Sequence, residues 1–308
     1  MRNTLRAAAY ELQLTFADML ANADAQKARI HRIAAQKKLI FTVTNGRSGS
    51  LMLARLFDTI DGVMGRHEPP PSFHLLMRWA QGRPELARKF WVHKKLPAID
   101  RQATPIYAET SHLLCKGFLE PLLESGLRPG LVFLTRDLRE IAVSMYRLND
   151  IPGRTNRAIK WYLSPADPTF SVLPAGAADN LTDYQLCYWH ALESAARISH
   201  YQTVAAEHGL PNALLDVEDL NDLDSFVSAC TKLGISLTEE SQARLRKEIG
   251  NRVNERKSEK RAMDFSDEEL ASQEEEVKEL SSSPNEATAR TNDASFAPLY
   301  LRTALRGL

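Results

Sequence analysis

Eight consecutive positions, TNGRSGSL from Thr44 to Leu51, bring together two glycines, two serines and an arginine. Glycines let a backbone turn sharply and approach an oxyanion. A helix starting directly after them adds unpaired N–H groups and the positive end of its dipole. Ser48 and Ser50 supply hydroxyl donors, and the planar guanidinium of Arg47 can bond two oxygens of a tetrahedral anion at once. The lysine of a nucleoside-triphosphate loop is missing, because Gly49 is followed by Ser50 and Leu51 instead of Lys and a hydroxyl residue. The chemistry indicated is capture of a phosphate or sulfate that does not chelate a metal, in a cradle running from Asn45 and Gly46 through Arg47, Ser48, Gly49 and Ser50 to Leu51. A second cluster, TRDLREIAVSMYR at 135–147, sets Arg136 at the end of an apolar run and Ser144 eight positions later. An arginine and a hydroxyl at one crevice make a second anion pocket, so the two clusters predict a ligand with phosphate groups at both ends.

Both clusters depend on the segments that hold them. Runs at 39–44, 62–66, 105–109, 131–135 and 213–217 read as strands, with helical patterns directly after residue 49 and at 72–79, 118–124, 138–147 and 183–207. Strands alternating with helices predict an α/β fold, a parallel sheet covered on both faces, with ligands at the carboxyl ends of the strands. The runs at 39–44 and 131–135 each end in a polar cluster containing arginine. The stretch 151–179, rich in Pro, Gly and Ala, reads as an irregular insertion near the mouth.

Composition limits the partners. Lys plus Arg equals Asp plus Glu at 39 each, so the 308-residue chain has no overall field to collect nucleic acid or an anionic membrane. No run reaches the roughly 18 apolar residues of a membrane span. Cys115, Cys187 and Cys230 are odd in number and widely spaced, which fits reduced thiols, and residues 1–38 do not resemble a signal peptide; both features predict a cytoplasmic protein. Leu5, Ala9, Leu12, Phe16 and Leu20 recur at helical spacing, so 1–38 reads as an amphipathic helix packed on the body or, in a homodimer, on a second subunit. Residues 251–308 read as a charged helical extension and tail with solvated faces.

The pair TNGRSGS and TRDLREIAVSMYR resembles the two signature motifs of the sulfotransferases that use PAPS, 3′-phosphoadenosine 5′-phosphosulfate. The resemblance implies a P-loop-like three-layer fold over 39–250, with PAPS as donor, PAP as product and no metal on the loop. It assigns Arg47, Ser48, Gly49, Ser50 and Leu51 to the 5′-phosphosulfate, and Arg136 and Ser144 to the 3′-phosphate. Arg47 stands where cytosolic members carry Lys, which is closer to the bacterial and Golgi branches. The Gly-rich basic loop that closes over the 3′-phosphate in many cytosolic members has no counterpart after Gly250, although basic residues of GNRVNERKSEKR can substitute.

Transfer of a sulfuryl group needs a base for the acceptor's proton and a cation for the leaving phosphate, the latter role falling to Arg47. By resemblance the base is Glu68, in GRHEPPPSF, or His112, in YAETSHLLCKGF; Glu68 is the preferred of the two because the histidine register is shifted. His67, Glu109, Trp161 and Tyr162 are the candidates for contact with a small-molecule, lipid or sugar acceptor bearing a hydroxyl or, less readily, an amine. The competing readings are a P-loop-type kinase and a non-catalytic nucleotide-binding module.

Overall fold

The apolar run at 39–44 becomes the central strand of a five-stranded, all-parallel sheet in the computed structural model, which describes residues 2–167, 173, 176–249 and 261–282. Among the described residues the strands are β1 (Lys38–Thr44), β2 (Val63–His67), β3 (Ile106–Thr110), β4 (Gly130–Thr135) and β5 (Asn212–Asp216), in the order β2-β3-β1-β4-β5. Helices flank the sheet: α1 (Arg2–Met19), α2 (Ala23–Gln36), α3 (Ser50–Asp58), α4 (Met77–Ala80), α5 (Pro84–Phe90), α6 (Leu96–Asp100) and α7 (Leu119–Glu124). The later helices are α8 (Leu138–Arg147), α9 (Ala158–Trp161), α10 (Asp183–Glu207), α11 (Leu223–Lys232), α12 (Glu239–Ile249) and α13 (Asp267–Ser282).

The chain forms two units. The first, Met1–Thr135 with Ala205–Val253, contains the whole sheet. Successive strand residues point to opposite faces, so Ile40 packs with Leu53, Phe57, Phe226 and Leu245 on one side, while Phe41 meets Trp91 edge-on at 5.5 Å on the other. Burial on both faces is why the strands read as near-continuous apolar runs. Gly65 of β2 lies so close to α3 that a Cβ there would stand 2.1 Å from the Ala54 carbonyl oxygen. The register pairs Thr42 of β1 with Thr110 of β3 and Thr44 with Leu134 of β4, which brings three strand ends to one edge.

The second unit comprises Arg136–Val204 and Asn254–Leu308. Its core joins Ile141, Met145, Tyr184 and Trp189 with Leu270 and Val277 of α13. Arg139 grips Glu274 with two 2.8 Å hydrogen bonds, and the Tyr184 hydroxyl donates to the same carboxylate at 2.6 Å.

Three expectations change. The single helix over 1–38 is two, because Asn22 breaks it and caps α2 by accepting from the N–H groups of Asp24 and Ala25. The charged extension is not merely solvated, since α13 buries Leu270 and Val277; residues 251–260 and 283–308 of it lie outside the described residues. The insertion at 151–179 carries a helical turn, α9, and 168–172, 174 and 175 lie outside the described residues.

Candidate functional site

β1 ends at Thr44 and α3 begins at Ser50, so the Gly- and Ser-rich cluster forms the turn between them. Gly46 and Gly49 have φ of 81° and 84°, and Arg47 has φ of 60°. Glycine adopts such angles freely, whereas an arginine held there is strained by on the order of 1–3 kcal/mol. Gly49 occupies the N-cap of α3 with no side chain bonded to the helix N–H groups, which leaves that end of the helix without a built-in acceptor. Thr44 ties the loop down: its hydroxyl donates to the Leu134 carbonyl at 2.8 Å and is bonded to the buried Ser48 hydroxyl. Asn45, Gly46 and Ser50 are also buried, while Arg47 and Leu51 are half-buried.

Against this loop packs His112. A Cβ placed on Gly46 would lie 3.2 Å from its Cγ, so a side chain there would press on the ring. Nδ1 of His112 is 2.6 Å from Oε1 of Glu68. The two residues that compete for one role in the sequence therefore form a single pair. Burial pushes the Glu68 carboxyl up, but the charge and hydrogen bond of His112, with the charges of His67 and Lys116, outweigh it and hold the group down to about 2. An ionised carboxylate only accepts hydrogen bonds, so Nδ1 of His112 carries the proton that faces Glu68. Glu68 is itself left-handed, with φ of 47°, and its N–H donates to the Thr110 carbonyl at 3.1 Å, extending the β2–β3 pairing past His67. The Thr110 hydroxyl donates to the Ser50 carbonyl at 2.8 Å and accepts from Nδ1 of half-buried His67 at 3.1 Å, which joins β2, β3 and the start of α3.

A second buried ion pair supports the strand exit. Nζ of Lys95 reaches the carbonyls of Pro69 and Pro71, at 3.3 and 3.0 Å, and lies 2.7 Å from Oε1 of Glu109, off the line of a well-directed hydrogen bond to that oxygen. The Tyr107 hydroxyl donates to the other Glu109 oxygen at 2.6 Å. Burial pushes the Glu109 carboxyl up, opposed by the ammonium of Lys95. Glu109, expected to contact an acceptor, is buried on β3, where its carboxylate faces Lys95 and accepts from Tyr107.

No family model matches this chain, and no curated protein matches it.

Arg136, Ser144, Trp161 and Tyr162 belong to the second unit. Nε of Arg136 donates to Oε2 of Glu140 at 2.7 Å, and Ser144 is half-buried on α8. Trp161 is half-buried on the rim of that unit's core. Tyr162, expected to contact an acceptor, is 3% exposed, with its ring edge-on to His190 at 5.2 Å, and belongs to the core of this unit. The basic stretch at 250–260 lies outside the described residues, and Arg261 beside it is engaged with Asp183 at 2.7 Å and over the Tyr146 ring. Among the described residues no group of three or more His, Cys, Asp and Glu side chains is placed to hold a metal ion, and no helix is long and apolar enough to cross a membrane. The sequence alone did not single out Lys95, Tyr107 or Lys116. The only signal was a lysine inside an apolar helical stretch, FWVHKKLPAI, where a charge must find a buried partner.

Proposed function

We propose that the protein is a PAPS-dependent sulfotransferase with a P-loop-like sulfotransferase fold, acting on a hydroxyl of a small molecule, lipid or sugar. The observation that carries this reading is the Glu68–His112 pair seated on Gly46 of the anion-type loop, which puts a proton acceptor beside a cradle for a tetrahedral anion. The cradle fits such a group: two glycines at positive φ bring the backbone close, the α3 N-terminus has no side-chain cap, and Arg47 is kept at an angle glycine would adopt more easily.

When bound, PAPS would supply an activated sulfuryl group that passes to an acceptor oxygen as its bond to phosphate breaks. The α3 N–H groups, the Ser50 hydroxyl and Arg47 bind the anion and stabilise charge on the departing phosphate oxygen, while Ser48, whose hydroxyl is committed to Thr44, shapes the turn. His112 takes the acceptor's proton at Nε2, and Glu68 fixes the tautomer and stabilises the imidazolium that results. A carboxylate held at about 2 is a weak base and a durable hydrogen-bond acceptor. We therefore give the proton to His112 and make Glu68 its positioning partner, the reverse of the order preferred from sequence. Arg136 and Ser144 are retained for the 3′-phosphate on the strength of the sequence resemblance alone. The three cysteines are reduced and buried, which supports a cytoplasmic setting.

The test is incubation with sulfur-labelled PAPS and a panel of phenols, sugars and sterols in the presence of a chelator. Labelled sulfate ester is expected. Failure with every acceptor, alongside phosphate transfer from ATP and magnesium, would favour the kinase reading.

A further inference from the structure

Helix α1 is docked with its polar side inward. Arg83 and Arg88 bond Glu11 and Asp18, His93 lies 2.7 Å from Asp18, and Lys89 donates to the Thr15 hydroxyl at 3.2 Å. Among the described side chains of this helix, only Ala7 and Leu14 are buried. The opposite side carries Leu5, Leu12 and Phe16, and continues through Met19 and Leu20, each between 60% and 71% exposed. Exposed Ala9 lies within this stripe, and no charged residue interrupts it. A surface helix normally turns its apolar stripe to the core. Here the stripe faces outward, and a contiguous apolar patch of this size marks an interaction surface.

Two observations identify the occupant. Each of the five side chains exposes on the order of 100 Å², so two such stripes in contact remove about 1,000–1,300 Å², which reaches the size of a specific interface. Glu11 and Asp18 are already paired on the inward side and Arg6 lies near one end of the helix, so two antiparallel copies meet without like charges facing each other. A lipid surface, by contrast, calls for Lys and Arg flanking the stripe, and Arg6 is the only such residue of α1 with a described exposed side chain.

We propose that α1 forms the interface of a homodimer, the outward stripes of two copies packing antiparallel about a two-fold axis. Centred between Leu12 and Gln13, this pairing sets Leu5 opposite Leu20 and Phe16 opposite Ala9, large beside small. The inference is independent of the proposed activity.

Sedimentation of the full chain across a concentration series tests it. The wild type is expected to dimerise, and Leu12→Asp and Phe16→Asp should each weaken association by roughly 30-fold or more, with an unchanged circular dichroism spectrum because both positions are exposed. The double variant Ala9→Cys, Phe16→Cys should cross-link between copies on oxidation, and Leu5→Cys alone should not; the native thiols are buried. A wild-type monomer at every concentration, whether or not it binds phosphatidylcholine–phosphatidylserine vesicles, overturns the proposal. So does a dimer that both aspartates leave intact. Cross-linking through Leu5→Cys but not through the double variant overturns the antiparallel register.

Discussion

The turn from β1 into α3 and the turn from β4 into α8 both follow an apolar strand with an arginine, yet they treat the helix N-terminus in opposite ways. At α3 the N-cap is Gly49, and no side chain bonds the first N–H groups. At α8 the N-cap is Asp137, whose carboxylate accepts from the Glu140 N–H at 2.9 Å, and Arg136 is bonded to Glu140. The first helix has an N-cap residue with no side chain to bond its N–H groups, while the second is capped by a carboxylate. An anion at the second turn must therefore be held by side chains. Arg136 has to exchange Glu140 for it, which is a modest cost because Glu140 is exposed and Arg136 half-buried. Under the proposed function, chemistry falls to the first turn and affinity to the second.

The largest effect is expected from the pair that rests on the first turn. His112→Ala should lower transfer by about 10²–10⁴ with donor affinity kept, and Glu68→Gln should lower it less, since it removes the orienting charge and leaves the imidazole. Single-turnover rates for both variants check the order; a dead Glu68→Gln enzyme beside an active His112→Ala enzyme would restore the carboxylate as base. The same pair sets an acid limit on stability. Because the folded Glu68 pKa is depressed, its stabilising contribution is complete above the ordinary carboxylate value of 4.5 and is lost as pH falls toward about 2, so Glu68→Gln should flatten acid unfolding in that window.

Next in size is Arg47→Ala. Removing one charge-stabilising donor should reduce turnover by about 10²–10³ under saturating donor. Near-normal turnover would break the assignment of chemistry to the first turn.

A smaller effect is expected at the second turn. Arg136→Ala should weaken PAP binding by roughly 1.5–3 kcal/mol and leave single-turnover transfer at saturation nearly unchanged. Titration with an analogue lacking the 3′-phosphate sharpens the point, since that ligand should not distinguish the variant from the wild type.

The smallest effect concerns stability alone. Asp137→Ala opens the capped helix and should lower unfolding stability by about 0.5–2 kcal/mol in a denaturant titration. A matching fall in PAP affinity would mean that the second helix end also serves the ligand.

Much of this frame is written in local sequence. All five strands lie within one residue of their expected ranges, because apolar runs ended by Gly, Pro or charged residues carry the signal for strands buried on both faces. The turn between β1 and α3 was equally legible, since two glycines flanked by a strand and a helix leave few alternatives. The Glu68–His112 pair was not: the residues are 44 positions apart, and only the β2–β3 register brings them together. The burial of Glu109 and Tyr162 was not legible, for one physical reason. A polar or amphipathic side chain near a loop is as compatible with a buried, satisfied role as with a surface one, and burial is decided by partners, here Lys95 and the α9 turn, far away in sequence or irregular in form.

The central claim is that the open turn binds a sulfuryl donor and not a magnesium nucleotide, and calorimetry on the full chain tests it most directly. Titration with PAP in the presence of a chelator should give saturable binding that Arg47→Ala and Arg136→Ala both weaken. ATP with magnesium should bind poorly. Tight binding of ATP with magnesium and none of PAP would contradict the account.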